Sequence, residues 1–380
     1  MLAVTPVVLT GSRTTDRLVE IADRFALPGK VQAVTPLGSG NVNDTYCVTV
    51  EAEGQPRFVL QRLNTEVFRQ PRLVMANIAA VSEHVALRLP LLPPGPTGRR
   101  WEMPRVVKDR SESQRWVEWG EEFWRTLTFI DAAHTHDTIA DAAHAREIGV
   151  GLGTFHTLIS DLPVEQLADT LEGFHITPRY LAHYDRVCEA GALPLEAEAQ
   201  WCAAFIEERR RGATVLEEAR ASGLLRVRPI HGDPKINNVM ICSSTARAVA
   251  MVDLDTVKPG LVQYDIGDCL RSACNRLGEE TPDWQDVSFD TDLCAAVFEG
   301  YGSMAREFLT DADYESLYDA IRLISFELGL RFFTDHLAGD VYFRTSHPGH
   351  NLERALVQFQ LSRSIEAQEQ EIRAIVAGLR

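Results

Sequence analysis

At 380 residues the chain exceeds what one ordinary hydrophobic core covers, so two lobes are expected, and 45% hydrophobic residues suffice to bury both. A formal charge of −16, with no lysine or arginine run interleaved with aromatics, excludes nucleic acid as an expected partner. Seven scattered cysteines without a CxxC pair exclude a disulfide framework and a zinc ribbon, and suit a reducing cytoplasm.

The apolar stretch from Leu2 to Leu9 lacks a basic lead, is interrupted by Thr5 and Pro6, and is far too short to span a bilayer. Neither export nor membrane insertion is expected. A helix is predicted over Thr15 to Arg24. Three strands follow, Val31 to Leu37, Thr45 to Val50 and Arg57 to Arg62, with turns at Gly38-Ser39-Gly40-Asn41 and Glu53-Gly54-Gln55-Pro56. Pro71 then opens an amphipathic helix in which Leu73, Ile78, Val81 and Val85 share a face. Leu91 to Gly98 reads as a rigid proline-rich surface loop, and Phe123 to Ile130 as the strand that closes a small β-rich lobe, residues 1–130.

From Asp131 the periodicity becomes helical. Ile148, Leu152, Phe155 and Leu158 form one apolar stripe, and Ile321, Ile324, Leu328 and Phe332 another, so residues 131–380 are expected to be a larger, mostly helical lobe. Within it, Val239 to Cys242 and Val249 to Val252 read as a hairpin turning at Ser243-Ser244. The cluster Gly149-Val150-Gly151-Leu152-Gly153 lacks the third-glycine spacing and preceding strand of a dinucleotide site, and is better explained by close helix packing. Neither a Gly-x-Ser-x-Gly elbow nor a Walker loop is present. His134 with His136, and His347 with His350, lack the companion ligands of a metal site.

The chemistry concentrates in Ile230-His231-Gly232-Asp233-Pro234-Lys235-Ile236-Asn237-Asn238, followed by Val252-Asp253-Leu254-Asp255. Phosphoryl transfer from ATP needs an acidic group beside the incoming hydroxyl and firm metal ligands around the phosphates. Protein kinases meet that need with His-Arg-Asp-Leu-x-x-x-Asn and a later Asp-Phe-Gly. On this layout Asp233 is the base, Asn238 a magnesium ligand and Asp253 the principal one. Lys235, two residues past the base, is placed to offset charge on the migrating group. His231 is assigned to bracing the loop, since the chemistry already has a base. Asp255 reads equally as a second metal ligand or as a loop-capping carboxylate.

In the small lobe, Gly38, Ser39, Gly40 and Asn43 are the candidates to lay backbone N–H groups over ATP phosphates. A kinase also wants a cation on the third strand paired with a helix carboxylate. Alternation admits only one of Gln61 and Arg62 to the inward position, and Glu83 is the candidate partner.

Taken together these residues resemble the aminoglycoside phosphotransferase and choline kinase type of family, and within it the N-acetylhexosamine 1-kinases. The closer resemblance lies in Gly38 to Tyr46, Leu60 to Asn64, Phe174-His175-Ile176-Thr177-Pro178, Asp253 to Gly260, Tyr264-Asp265-Ile266-Gly267-Asp268, Arg331 to Phe343, and Gly349-His350-Asn351-Leu352, which run in order along nearly the whole chain. It implies a two-lobed, protein-kinase-like α+β fold and ATP- and Mg2+-dependent phosphorylation of the anomeric hydroxyl of N-acetylglucosamine or N-acetylgalactosamine. It further implies that Phe129, Ile130 and Asp131 form the adenine hinge and that Arg331 and Tyr342 contact the sugar. Arg331 has an equal claim to an ion pair with Asp335, one helical turn away. Asn41, near the expected sugar pocket, stands where those kinases tend to carry histidine, and Pro234 also departs from their pattern.

The expected function is therefore a cytoplasmic sugar 1-kinase, monomer or homodimer, with a small-molecule sugar as its partner. Two rivals are an aminoglycoside or other small-molecule hydroxyl phosphotransferase of the same fold, whose polycationic substrate an acidic protein would attract, and a catalytically silent kinase-like binding module.

Overall fold

The computed structural model describes residues 12–38, 42–91, 99–191 and 196–379, so Ser39, Gly40, Asn41 and most of the proline-rich loop lie outside the described residues. The chain divides into two compact units, residues 1–82 with 104–131, and residues 83–103 with 132–380.

The first unit contains α1 (Ser12–Ala22), β1 (Lys30–Pro36), β2 (Asp44–Glu51), β3 (Arg57–Leu63), most of α2 (Pro71–Arg88), β4 (Val106–Val107), β5 (Val117–Trp119) and β6 (Glu122–Thr128). All pairings in its sheet are antiparallel, in the order β1-β2-β3-β6-β4, with β5 also on β6. Strand alternation sends Val48 and Val50 of β2 and Leu60 of β3 inward, where they meet Leu18, Ile21 and Ala22 of α1. The predicted strands thus appear within a residue or two of their expected ends. In α2 the buried face is Val74, Ile78, Val81 and Val85, whereas Leu73 is exposed and corrects the expected stripe by one position. The spacing of four, three and four residues is the one that keeps a helix face in register, and Leu73 falls outside it.

The second unit is mainly helical. In chain order it holds β7 (Ala133–His134), α3 (Ala142–Ile159), α4 (Thr177–Ala190), α5 (Ala197–Arg209), α6 (Val215–Ala221), β8 (Arg228–Ile230), β9 (Val239–Cys242), β10 (Ala248–Met251) and β11 (Lys258–Gly260). Then come α7 (Val262–Ala273), α8 (Thr291–Ala305), α9 (Asp311–Leu337), α10 (His350–Ala367) and α11 (Glu369–Ala377). Two small antiparallel sheets, β10-β9-β7 and β11-β8, carry the polar motifs at their ends.

The glycines of α3 serve helix packing. A Cβ at Gly149 would lie 1.9 Å from the carbonyl oxygen of Val297, and one at Gly300 of α8 would lie 1.9 Å from that of Arg146. Only glycines allow the two backbones to approach so closely. Helix α9 starts with a reciprocal cap between Thr310 and Asp313, and its core face joins Phe326 and Phe333 to Phe205 of α5 and Phe359 of α10. Each such ring, fully buried, contributes roughly 2–3 kcal/mol of transfer free energy. All seven cysteines are free thiols. Among the described residues, no helix is long and apolar enough to cross a membrane.

Candidate active site

The segment from His231 to Asn238 leaves β8 and enters β9, and its backbone is held from both sides by buried groups. Asp265, on the first turn of α7, accepts the N–H of His231 at 2.7 Å on one carboxylate oxygen and that of Gly232 at 2.8 Å on the other. His156 of α3 donates to the same carboxylate at 2.9 Å, and its other ring nitrogen bonds the Tyr301 hydroxyl at 2.9 Å. Burial alone would raise the Asp265 carboxyl, but the His156 bond and the neighbouring histidines outweigh it and hold the group below its ordinary value.

On the other side, His175 donates from Nε2 to the carbonyl of Gly232 at 2.7 Å and from Nδ1 to Glu327 at 3.0 Å. Both ring nitrogens face acceptors, so the ring is an imidazolium. Burial disfavours that charge, and the Glu327 carboxylate more than offsets it, raising the His175 pKa. Gly232 itself has φ +88, and a Cβ there would lie 2.5 Å from the carbonyl oxygen of Thr256, so the turn admits only glycine.

His231 has the neutral, bracing arrangement. Its Nε2–H donates to the carbonyl of Val252 at 3.0 Å and its Nδ1 accepts the N–H of Asp233 at 3.3 Å. Burial lowers its pKa and keeps it uncharged. Val252 in turn donates its N–H to the carbonyl of Asn238 at 2.9 Å, so one residue ties the 231–238 loop to the turn that begins with Asp253.

Three polar side chains converge at the loop. Lys235 Nζ lies 3.0 Å from the Asp233 carboxylate, and Asn238 donates to the Asp233 carbonyl at 2.7 Å and to its carboxylate at 3.2 Å. Asp233 retains 27% side-chain exposure, which keeps its carboxylate available to a ligand. The Asp233 charge raises the Lys235 pKa against the cost of burial, and Asp253 adds to the effect. Asp253 is exposed, in the left-handed conformation at φ 61, whereas Asp255 is buried at 2%. With its amide nitrogen committed to Asp233, Asn238 has its oxygen as the donor atom for a cation. An amide oxygen and one or two carboxylates are the hard donor set that magnesium takes when phosphates complete its shell. Among the described residues no group of three or more histidine, cysteine, aspartate or glutamate side chains forms a metal cage.

In the first unit, Gly38 has φ +70 with open space around it, and Asn43 accepts the N–H of Asn64 at 2.9 Å, tying the entry to β2 to the end of β3. The two faces of β3 separate Gln61 from Arg62. Arg62 is engaged by Asp44 and Glu122. Gln61 donates to Thr45 at 3.0 Å and accepts from Arg125 Nε at 2.9 Å. The buried cation on this face therefore comes from β6, directly across from Gln61 in the register. Past the end of β6, the Arg57 guanidinium lies 4.1 Å from the Phe129 ring centre and pairs with Asp131, while Ile130 is buried.

The Arg331–Asp335 ion pair does not form. The Asp335 carboxylate instead accepts the N–H groups of Val341 at 3.0 Å, Tyr342 at 2.8 Å and Phe343 at 2.9 Å, and the Asn351 amide at 3.0 Å. Arg331 is surrounded by the rings of Phe174, Tyr180, Tyr342 and Phe343, at 5.1–5.9 Å from their centres. Burial disfavours its charge, but Tyr180, Tyr342, Glu327 and Asp233 sustain it. The Asp233 charge favours the charged form of Arg331 as well as that of Lys235.

Asp265, His156, His175 and Glu327 were given no role from sequence. His175 and Asp265 do fall within the family-like segments, which was the available signal.

A family model described as "Phosphotransferase enzyme family" matches residues 33–306. Among solved structures, an aminoglycoside phosphotransferase from Alicyclobacillus acidocaldarius is similar with a TM-score of 0.61 at 16% identity, over 99% of this chain and 97% of that one. The amicoumacin kinase hAmiN, in complex with AMP-PNP, Ca2+ and Ami, gives 0.59 at 12% identity over 91% and 92%. A choline kinase from Cryptosporidium parvum gives 0.59 at 13% identity over 96% and 99%. At these identities the likeness is one of fold.

Proposed function

This chain belongs to the phosphotransferase enzyme family, a group of kinase-like fold acting on hydroxyl acceptors, and from that premise we propose that it transfers the γ-phosphoryl group of ATP to the anomeric C1 hydroxyl of an N-acetylhexosamine. Asp233 orients that hydroxyl and takes its proton as the oxygen attacks phosphorus in line, and Lys235 beside it offsets charge spreading over the phosphoryl oxygens. Asn238 fixes both the carbonyl and the carboxylate of Asp233, so the base keeps one orientation through the reaction. Asn238 and Asp253, with Asp255 as a further candidate, would hold magnesium, which when bound would neutralise charge at the phosphates. The AMP-PNP and Ca2+ bound in the amicoumacin kinase are in keeping with a nucleotide and a divalent cation at a site of this fold.

The observation that carries the acceptor class is Arg331. Its guanidinium is packed among aromatic rings instead of being paired by Asp335, and it lies within the field of Asp233. A neutral sugar ring suits such a surface, with apolar C–H faces for the rings and oxygen atoms for the guanidinium. A polycationic aminoglycoside meets like charge there, despite the attraction of a net charge of −16. The choice of an N-acetylhexosamine within the sugars rests on the family-like segments of the sequence.

The discriminating experiment supplies purified protein and ATP with N-acetylglucosamine, N-acetylgalactosamine or kanamycin, and follows ADP release. Turnover with the N-acetylhexosamines and none with kanamycin is expected. The reverse pattern would move the acceptor to the aminoglycosides.

A further inference from the structure

We infer that Asp335, supported by Asn351, is a positioning residue for the acceptor: it touches no substrate, but holds the 339–343 turn so that Tyr342 and Phe343 face Arg331. The inference rests on the acceptor reading proposed above and concerns the same site.

Helix α9 ends at Leu337, and the chain reverses through two consecutive left-handed residues, Gly339 at φ +91 and Asp340 at φ 57. No strand or helix pairs the next three residues, so their backbone donors need other partners. Asp335 provides them. One carboxylate oxygen takes the N–H groups of Val341 and Tyr342, and the other takes that of Phe343 together with the Asn351 amide. Asn351 has no exposure and also donates to Asp340 at 2.8 Å, joining both ends of the turn to the start of α10.

The consequence reaches the site through the side chains of those same residues. Tyr342 is 55% exposed and Val341 77% exposed, so packing does little to hold them. The backbone bonds to Asp335 are what set the Tyr342 ring 5.9 Å from the Arg331 guanidinium, while Phe343, 5.3 Å from it, is held both by its bond to Asp335 and by packing on Phe332. A carboxylate accepting several backbone N–H groups is a strong and geometrically selective anchor. An amide in its place presents donors to donors.

The test uses the full chain with ATP and N-acetylglucosamine. Asp335→Asn is expected to raise the acceptor KM about tenfold or more while the ATP KM stays within about twofold, since the loss is confined to the acceptor wall. In a Tyr342→Ala background the same change should add much less than its single-variant factor, because it acts through that ring. Additive factors would overturn the inference. Val341→Pro removes one of the N–H donors at a surface position and should reproduce the phenotype if Asp335→Asn fails to fold.

Tryptic cleavage after the exposed Arg344 reports the turn without any substrate, and should quicken about tenfold in either variant. Unchanged cleavage together with an unchanged acceptor KM would sink the inference. If the wild-type protein turns over no sugar, the acceptor reading fails on its own, and the cleavage rates alone decide whether Asp335 holds the turn.

Discussion

The buried side chains of His175 and Glu327 meet at 3.0 Å, and that contact holds the ring whose other nitrogen grips the Gly232 carbonyl of the 231–238 loop. Because the folded His175 has a raised pKa, its stabilisation is fully present below the unfolded value near 6.5 and is lost as pH rises through the folded value. Glu327→Gln should remove that alkaline-side loss, because without the carboxylate burial leaves the ring neutral, and should lower stability at neutral pH by roughly 1–3 kcal/mol through the lost charge-assisted bond. Melting temperatures of both proteins across pH 6–9 provide the check, and an unaltered pH slope in the variant would contradict the charge assignment.

His231 should show the opposite sign. Its folded pKa is depressed by burial, so as pH falls below about 6.5 the unfolded chain takes up a proton that the folded one refuses, and stability is lost. His231→Gln should flatten this acid-side slope and cost about 1–2 kcal/mol at pH 8 through the weakened bond to Val252. Denaturant melts at pH 5, 6 and 8 separate the two effects.

Gly232→Ala is predicted to damage activity more than its size suggests. The added methyl would sit 2.5 Å from a backbone oxygen at φ +88, so the loop carrying Asp233 must shift. Strain of about 1–3 kcal/mol is expected, with kcat reduced about a hundredfold for a base displaced by an ångström. A variant with wild-type kcat would show that the loop tolerates movement.

Much of this molecule was legible in the sequence, for identifiable reasons. Strand β2 buries Val48 and Val50 in alternation, β1 and β3 are bounded by their turn residues, Pro71 marks the start of α2, and the spacing from Asp233 to Asn238 is set by local chemistry. Strand β9 appears at its expected bounds and β10 one residue earlier than expected, because Val252 leaves the strand to bond the loop. Strands such as β4, β8 and β11, two or three residues long, have no periodicity to detect. The anchoring groups were hidden for another reason. Asp265 and Glu327 act on loop residues more than thirty positions away in sequence, or through a histidine that does, and nothing local announces such a bond. Arg331 and Asp335 illustrate a misleading local signal, since the four-residue spacing favours an ion pair on a helix. Asp335 was claimed instead by donors beyond the helix end, whose number and geometry outweigh one cation packed among aromatic rings.

Arg62 and Arg125 should part sharply on substitution. Arg62 is exposed and its ion pairs lie in water, so Arg62→Ala should change stability by no more than about 1 kcal/mol. Arg125 is 1% exposed and bonded to Gln61, so Arg125→Ala should cost about 3–5 kcal/mol by leaving a cavity and an unpaired amide. Urea melts of the two variants check the ordering.

The central claim is that Asp233 activates a sugar hydroxyl for attack on ATP, and phosphorus NMR of the product tests it most directly. Wild-type protein with ATP, Mg2+ and N-acetylglucosamine or N-acetylgalactosamine should yield ADP and one new ester coupled to the anomeric proton, and Asp233→Asn should slow its appearance by about 10²–10⁴-fold. An ester on another hydroxyl, no sugar ester with either hexosamine, or an Asp233→Asn variant as fast as the wild type would contradict the account.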